Sequence, residues 1–202
     1  MSPSETLRER RRRETRTEIH ATALRLAQEH GFDKITVEMI SNGAGVSPRT
    51  FFNYFPSKEE AVVQGPSALP QAFVDEFAAL GHAHPRDVLA DLIRLLVRDI
   101  AESNPGREEF RAVFQLAHEH PAVQAALLTR FDRFQRSVAE AVAQRLDEHS
   151  DDEVPSLVGA LGLAAVRVGL ERWTVADSLE RDESAVPYVE RSLALLQTFL
   201  ST

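Results

Sequence analysis

An arginine and an asparagine stand one helical turn apart at Arg49 and Asn53, inside a segment with helical periodicity. Arginine can donate two parallel hydrogen bonds to guanine, and asparagine can pair in the same way with adenine. On one face of an exposed helix, the two side chains could therefore read base edges in the major groove of DNA. Lys58 opens the next predicted helix, where its charge and the free backbone N–H groups could meet a phosphate.

Two short predicted helices joined by a glycine turn position these side chains. Thr36 is the predicted N-cap of the first helix, and Ser47 caps the second helix with Pro48 at its first position. The second helix must end before Pro56. The pattern is that of a helix-turn-helix, in which the second helix, residues 47–55, enters the major groove. A plain helical hairpin with a solvated polar face is the alternative.

Apolar side chains of both helices could form a small core that fixes their crossing angle. They are Val37, Ile40, Ala44, Val46, Phe51 and Phe55. The second helix is short but carries four aromatic residues, at positions 51, 52, 54 and 55. An ordinary surface helix would not need so many, which favours the helix-turn-helix over the plain hairpin.

Helical periodicity extends along the chain, and no sustained period-2 alternation predicts a strand. We therefore predict an all-α fold of about nine helices. The 202 residues are 43% hydrophobic and 27% charged, which is typical of a soluble globular protein. The absence of cysteine excludes disulfide frameworks, thiolate zinc sites and cysteine nucleophiles.

The net charge of −8 is unevenly distributed. Residues 1–64 carry a net charge of +1 and the remainder carries −9, so a polyanion would meet only the N-terminal part. Six arginines fall within residues 1–16, as a basic arm or as a solvated helix start. The longest apolar run, 157–166, is shorter than the ~20 residues that span a bilayer. We expect a cytoplasmic protein with no membrane partner.

Histidine clusters offer little support for an enzyme. His82 and His84, like His118 and His120, are two residues apart, so the side chains of each pair point to different sides of a helix. Solvated histidines at helix boundaries are the preferred interpretation. The chain has no P-loop, dinucleotide fingerprint or nucleophile elbow, so we expect no enzyme activity, no cofactor and no metal. A metal-dependent hydrolase remains the third-ranked alternative.

Residues 31–37 and 45–59 resemble the N-terminal domain of tetracycline-repressor (TetR) family transcriptional regulators, a likeness that covers about residues 15–62. The resemblance implies a DNA-binding domain in residues 1–62 and a helical ligand-binding and dimerisation domain in residues 63–202. Phe52 stands where the family commonly has tyrosine, so a hydroxyl–phosphate bond is absent there. The positions implied to meet DNA or to support that contact are Thr36, Ser47, Pro48, Arg49, Thr50, Phe52, Asn53, Tyr54 and Lys58.

The predicted helices 155–173 and 186–200 carry apolar residues on more than one side. Such helices must be covered on those sides, by the body and by a partner or, alternatively, by the core of a monomer. The resemblance implies that they form the interface of a homodimer. A two-fold dimer would place its recognition helices about 34–36 Å apart and would read a near-palindromic double-stranded operator.

The resemblance also implies an effector cavity lined by helices that carry large apolar side chains. The candidates are Phe110, Phe114, Phe131, Phe134 and Trp173, although ordinary core packing is the preferred interpretation for each one taken alone. The C-terminal part resembles a mainly actinobacterial subgroup that includes mycofactocin-associated regulators, which implies a lipophilic or acyl-bearing small molecule. The predicted function is a ligand-responsive homodimeric repressor. The alternative is a helical sensor or scaffold protein without DNA-binding activity.

Overall fold

The computed structural model describes residues 7–63, 65, 68–103, 106–176 and 184–200. These residues form ten α-helices and one 3-10 helix and contain no strand, which confirms the predicted all-α fold. The helices are α1 (Leu7–His30), the 3-10 helix (Phe32–Lys34), α2 (Val37–Gly43), α3 (Pro48–Phe52), α4 (Lys58–Val62), α5 (Gln71–Ala79), α6 (Pro85–Ser103), α7 (Arg107–Glu119), α8 (Pro121–Leu146), α9 (Glu153–Val175) and α10 (Val186–Leu200).

Prolines mark the beginning of three helices. Pro48, Pro85 and Pro121 are the first residues of α3, α6 and α8. A proline is well placed there, because the N–H group that it lacks would have no partner in the first turn and its φ suits a helix. The predicted start at Pro48 is confirmed.

The chain divides into two compact units that do not follow chain order. The first contains the described residues up to Gly65 together with Ala112–Leu128. The second contains the remaining described residues, within 66–111 and 129–200. The predicted functional boundary between residues 62 and 63 stays a prediction, but the segment 112–128 packs with the N-terminal unit. The sequence patterns did not indicate that residues 112–128 belong to the N-terminal unit.

The first unit is built around α1. Ile19 and Ala23 are buried on α1 and join a core with Ile40, Phe51 and Val123. The buried His20 ring nitrogen Nδ1 lies 2.7 Å from the carbonyl oxygen of Ala61, which ties α1 to α4. This core supports α2 and α3 from beneath.

The second unit is built around α9, which packs against α6 and α10. Gly169 on α9 allows a close approach, because a Cβ atom there would lie 2.5 Å from the Cα atom of Val189 on α10. By length and composition α9 could cross a membrane, a test that core helices of soluble proteins also pass. Its buried residues and its helix neighbours are those of a core helix.

A buried arginine also orders the second unit. Arg145 donates from Nη1 to an Asp91 carboxylate oxygen at 2.7 Å and from Nε to the carbonyl oxygen of Gly81 at 2.8 Å. Its guanidinium group lies over the Phe77 ring, 4.9 Å from the centroid. Pairing of this kind offsets the free-energy cost of removing a charged group from water.

Candidate nucleic-acid interface

Side-chain caps define the starts of α2 and α3. The Thr36 hydroxyl accepts a hydrogen bond from the backbone N–H of Met39 at 3.3 Å, and the Ser47 hydroxyl accepts one from the backbone N–H of Thr50 at 3.0 Å. Between the helices, Gly45 has a φ of 67°, a left-handed conformation that suits glycine. Both predicted caps and the glycine turn are confirmed.

The N-terminus of α2 also lowers the pKa of a carboxyl group. Glu38 lies in the first turn, where its carboxylate accepts hydrogen bonds from its own backbone N–H and from the Thr36 hydroxyl. Both bonds favour the charged form, so the pKa lies below its ordinary value. Glu38 is therefore charged at neutral pH, where its charge favours the start of α2.

The predicted small core beneath the two helices is present. Ile40, Phe51 and Phe55 are fully buried, and Val37, Ala44 and Val46 are partly buried against them. Phe51 packs edge to face on Phe52, with ring centroids 5.4 Å apart. The burial of Phe51 in one cluster with Ile40 of α2 is what holds α3 against α2.

The α3 helix is shorter than the predicted recognition helix of residues 47–55. It ends at Phe52, and Asn53 is its C-cap residue. The backbone N–H of Tyr54 bonds to the Phe51 carbonyl, which tightens the last turn ahead of Pro56. The Asn53 N–H still bonds to the Arg49 carbonyl at 3.3 Å, so these two residues remain one turn apart.

The outer surface of α3 carries the side chains that could read DNA. Arg49 and Asn53 are exposed, and Phe52 is 56% exposed. An exposed phenylalanine next to an arginine and an asparagine offers apolar and hydrogen-bonding contacts on one surface. Ser47 and Pro48 are exposed at the start of the same helix.

Thr50 of α3 and Tyr54, in the turn after α3, are half-buried. The Thr50 and Ser47 hydroxyl oxygens are 2.9 Å apart, within hydrogen-bonding distance. Arg16 of α1 donates to the Tyr54 carbonyl oxygen at 3.4 Å and lies over the Phe55 ring, 4.6 Å from its centroid. Arg16 therefore links α1 to the turn after α3. The sequence shows it only as one member of an arginine cluster, because its partner Tyr54 is 38 residues away.

Lys58 makes internal contacts. Its Nζ donates to the carbonyl oxygens of Phe32 and Ile35, both at 3.0 Å, and lies 4.6 Å from the Phe32 ring centroid. An ammonium group has three N–H donors, so one donor remains beyond these two bonds. Lys58 therefore supports the loop before α2, and its predicted phosphate contact stays a prediction.

The aromatic candidates for a ligand site separate in the structure. Phe110 and Trp173 are together, with ring centroids 6.1 Å apart, and Phe134 packs against the core of the same second unit. Phe131 is 37% exposed, and Phe114 belongs to the first unit. The structure therefore brings Phe110 and Trp173 together, but it does not gather all five predicted ligand-site residues in one unit.

Trp173 is fully buried, and its Nε1 has no hydrogen-bond partner among the described residues. A buried indole N–H normally has one, so this donor is open to an acceptor. Arg111 of α7 donates to the carbonyl oxygen of Thr174 at 2.8 Å, beside Trp173. This contact ties the beginning of α7 to the end of α9.

Exposed apolar side chains lie on α9 and α10. Leu195 and Phe199 of α10 are 55% and 74% exposed. Leu157 and Val168 of α9 are also exposed. A surface with several large exposed apolar residues is typical of an interaction site.

Two family models match the chain. The one described as "Bacterial regulatory proteins, tetR family" matches residues 19–63. The one described as "MftR C-terminal domain" matches residues 87–201, which is more than half of the chain. The chain belongs to the TetR family of transcriptional regulators. The second match also places this TetR-family regulator in the mycofactocin-associated subgroup, as predicted.

Two relatives match this TetR-family chain over most of its length. The HTH-type transcriptional regulator TcmR of Streptomyces glaucescens is 29% identical over 188 residues, covering 90% of this chain and 83% of that protein. A Mycobacterium tuberculosis protein with the name mycofactocin biosynthesis transcriptional regulator MftR is 28% identical over 187 residues, covering 90% and 91%. These relatives are regulators rather than enzymes, in agreement with the prediction of no enzyme activity.

Solved structures share the fold. A TetR-family regulator of Syntrophomonas wolfei aligns with a TM-score of 0.57 at 19% identity, covering 94% of this chain and 96% of that one. The fatty acid degradation regulator FadR of Bacillus halodurans aligns with a TM-score of 0.51 at 18% identity, covering 90% and 93%. At these identities the likeness concerns the fold alone.

Of the paired histidines in this TetR-family chain, His82, His84 and His118 are exposed, as predicted, and His120 is half-buried. The His120 ring contacts the Phe32 ring at a tilt of 46°, with centroids 4.9 Å apart, and its Nδ1 lies 3.5 Å from an Asp33 carboxylate oxygen. The Nδ1 atom of His82 lies 3.2 Å from the carbonyl oxygen of Arg145. In the part of the chain that the structure describes, no group of three or more His, Asp or Glu side chains could hold a metal ion.

Proposed function

We propose that this TetR-family regulator is a cytoplasmic, homodimeric repressor that releases its DNA operator when a small lipophilic molecule binds. The observation that carries the proposal is the exposed surface of α3. Arg49, Phe52 and Asn53 project from a short helix that is capped at Ser47 and held from beneath by Phe51. Such a rigid, exposed helix suits insertion into a major groove.

In the proposed complex, α3 provides base contacts and its surroundings provide phosphate contacts. Arg49 pairs with a guanine and Asn53 with an adenine, and Phe52 presses on a sugar or a thymine methyl group. The remaining members of the interface are Thr36, Ser47, Pro48, Thr50, Tyr54 and Lys58, which position α3 or contact phosphates.

Homodimerisation through α9 and α10 would account for their exposed apolar residues. The two helices pack on one another inside the second unit. Leu157, Val168, Leu195 and Phe199 remain exposed. A two-fold dimer would cover this surface with a second copy of itself and would match a near-palindromic operator.

The proposed effector site lies in the second unit, near Phe110 and Trp173. The two rings and the partly buried Phe134 favour an apolar ligand, and the open indole N–H of Trp173 would bind an acceptor on it. Ligand binding would favour a conformation in which the two α3 helices no longer match the groove spacing.

The decisive experiment is operator binding by the variant R49A/N53A. Selection from a random DNA pool defines the operator for the wild-type protein, and fluorescence anisotropy measures the affinity. We expect the variant to lose roughly 100-fold or more in operator affinity, because each bidentate base contact contributes about 1–3 kcal/mol. Its oligomeric mass and unfolding transition should stay unchanged.

The matched control is R25A/N42A, which removes the same residue types from exposed positions on α1 and α2. This variant should keep wild-type operator affinity. If selection enriches no DNA sequence for the wild-type protein, the repressor proposal fails. The alternative of a helical sensor without DNA-binding activity then gains support.

A further inference from the structure

The N-terminal turns of α1 and one side of α3 form the walls of an open groove of about 880 Å³. The α1 wall is formed by Leu7, Arg8, Arg11, Arg12 and Thr15, and the opposite wall by Thr50 of α3 and by Asn53 and Tyr54, which follow α3. Positions 8, 11, 12 and 15 are spaced as one face of an α-helix. The arginine cluster is thus part of a continuous helix.

The arginines of this cluster have different surroundings. Arg10 pairs with Glu14 at 2.8 Å on the helix surface, and Arg16 braces Tyr54 and Phe55. Arg8, Arg11 and Arg12 are exposed, and no hydrogen bond or ion pair holds their guanidinium groups within the described residues. Three unpaired positive charges therefore lie along one wall of the groove.

The opposite wall suits an anion as well. Thr50 and Asn53 offer a hydroxyl and an amide group, and Tyr54 offers a phenolic hydroxyl. Guanidinium groups are strong partners for phosphate oxygens because they can donate two parallel hydrogen bonds. A phosphodiester strand has the required chemistry: it is extended, anionic and rich in acceptors.

We propose that Arg8, Arg11 and Arg12 bind backbone phosphates of the DNA strand that borders α3. The inference rests on the proposed function, because α3 must lie in the major groove for its flank to face that strand. The N-terminal two turns of α1 then belong to the DNA interface. This assignment also explains how residues 1–64, with a net charge of only +1, bind a polyanion: positive charge is concentrated along one groove.

The test compares two triple variants with equal net charge. R8Q/R11Q/R12Q removes the groove arginines, and glutamine preserves helix propensity. R10Q/R13Q/R25Q removes three α1 arginines that do not line the groove. Operator affinity is measured for the full chain at salt concentrations between about 50 mM and about 200 mM.

We expect the groove variant to lose roughly 10-fold or more in affinity at the lower salt concentration. The slope of log K against log salt should become shallower by about 0.9 for each phosphate that the variant no longer neutralises. The preference for operator over scrambled DNA should remain, because phosphate contacts carry no sequence information. The control variant should retain a slope close to that of the wild type.

A second measurement locates the phosphates that the groove arginines bind. Operators with single neutral methylphosphonate linkages should weaken wild-type binding at a few positions bordering each half-site. At those positions the groove variant should show no further decrease in affinity, because the partner charge is already absent. Circular dichroism of both variants reports whether the fold is kept.

Equal decreases in affinity for the two triple variants would overturn the proposal, since they would indicate a general charge effect. A groove variant with the wild-type slope would overturn it as well. Both outcomes differ from failure of the proposed function, in which the wild-type protein itself would not distinguish operator from scrambled DNA.

Discussion

At the scale of single residues, Lys58 donates hydrogen bonds to the carbonyl oxygens of Phe32 and Ile35. We therefore assign Lys58 a structural role in addition to its proposed contact with DNA. The variant K58M should lower the free energy of unfolding by about 1–3 kcal/mol, because it removes charge-assisted bonds from two carbonyl groups. Urea denaturation measures the change. The control K34M removes the chain's other lysine, which is exposed, and should change stability little. Equal stability of K58M and wild type would show that its internal bonds are dispensable.

Trp173 is the chain's single tryptophan, so its fluorescence reports on the proposed effector site without labelling. We expect n-decanol or decanoate to change the emission in a saturable way and to weaken operator binding over the same concentration range. The variant F110A should reduce probe affinity several-fold, because Phe110 packs on Trp173. The control F131A changes a partly exposed ring and should bind as the wild type does. Saturable binding without an emission change would place the site elsewhere.

At the scale of elements, the contact between α9 and α10 depends on the absence of a side chain at Gly169. In G169A the added methyl group would overlap the backbone of Val189, which cannot move without shifting α10. We expect a decrease of about 1–3 kcal/mol in unfolding free energy, measured by urea denaturation. In the control G106A, the new Cβ atom would lie 3.6 Å from Glu109, an ordinary van der Waals distance, and stability should change little. If G169A had the same free energy of unfolding as the wild type, the close approach of α9 and α10 at Gly169 would be contradicted.

At the scale of the whole molecule, the dimer proposal predicts a change in mass. The variant L195E/F199E places charges on the exposed apolar surface of α9 and α10 and should weaken self-association at least roughly 100-fold, because burying a charge without a partner is costly. Analytical ultracentrifugation should show the wild-type protein at twice the 22.5 kDa chain mass and the variant at that mass. The control L128E changes an exposed leucine outside these helices and should remain dimeric. A wild-type protein that is monomeric at micromolar concentration would falsify the interface.

The uneven distribution of net charge along the chain also matters at the scale of the whole molecule. The N-terminal residues 1–64 carry a net charge of +1 and the rest of the chain carries −9. In the proposed complex, the acidic part would be repelled by the duplex where the two come within about 8–10 Å at physiological salt. This asymmetry would favour an approach to DNA by residues 1–64, with the groove arginines and α3 facing the phosphates.

The features that the sequence alone determined, the helices and the helix-turn-helix, depend on interactions between residues close in the chain. The hydroxyl caps of Thr36 and Ser47, the glycine turn and Pro48 at the start of α3 each act over a few residues, so the helix-turn-helix could be predicted. The family resemblance rested on the same local motif.

Contacts between distant parts of the chain decided the rest. Helical spacing shows which residues share a face, but only the packed structure shows which face of α1 borders α3 and leaves Arg8, Arg11 and Arg12 without partners among the described residues. It also shows that the ammonium of Lys58 bonds to carbonyl groups 23 and 26 residues away. The packing of residues 112–128 with the N-terminal unit is likewise a tertiary outcome. Such contacts depend on how whole helices bury their apolar faces, which no short stretch of sequence encodes.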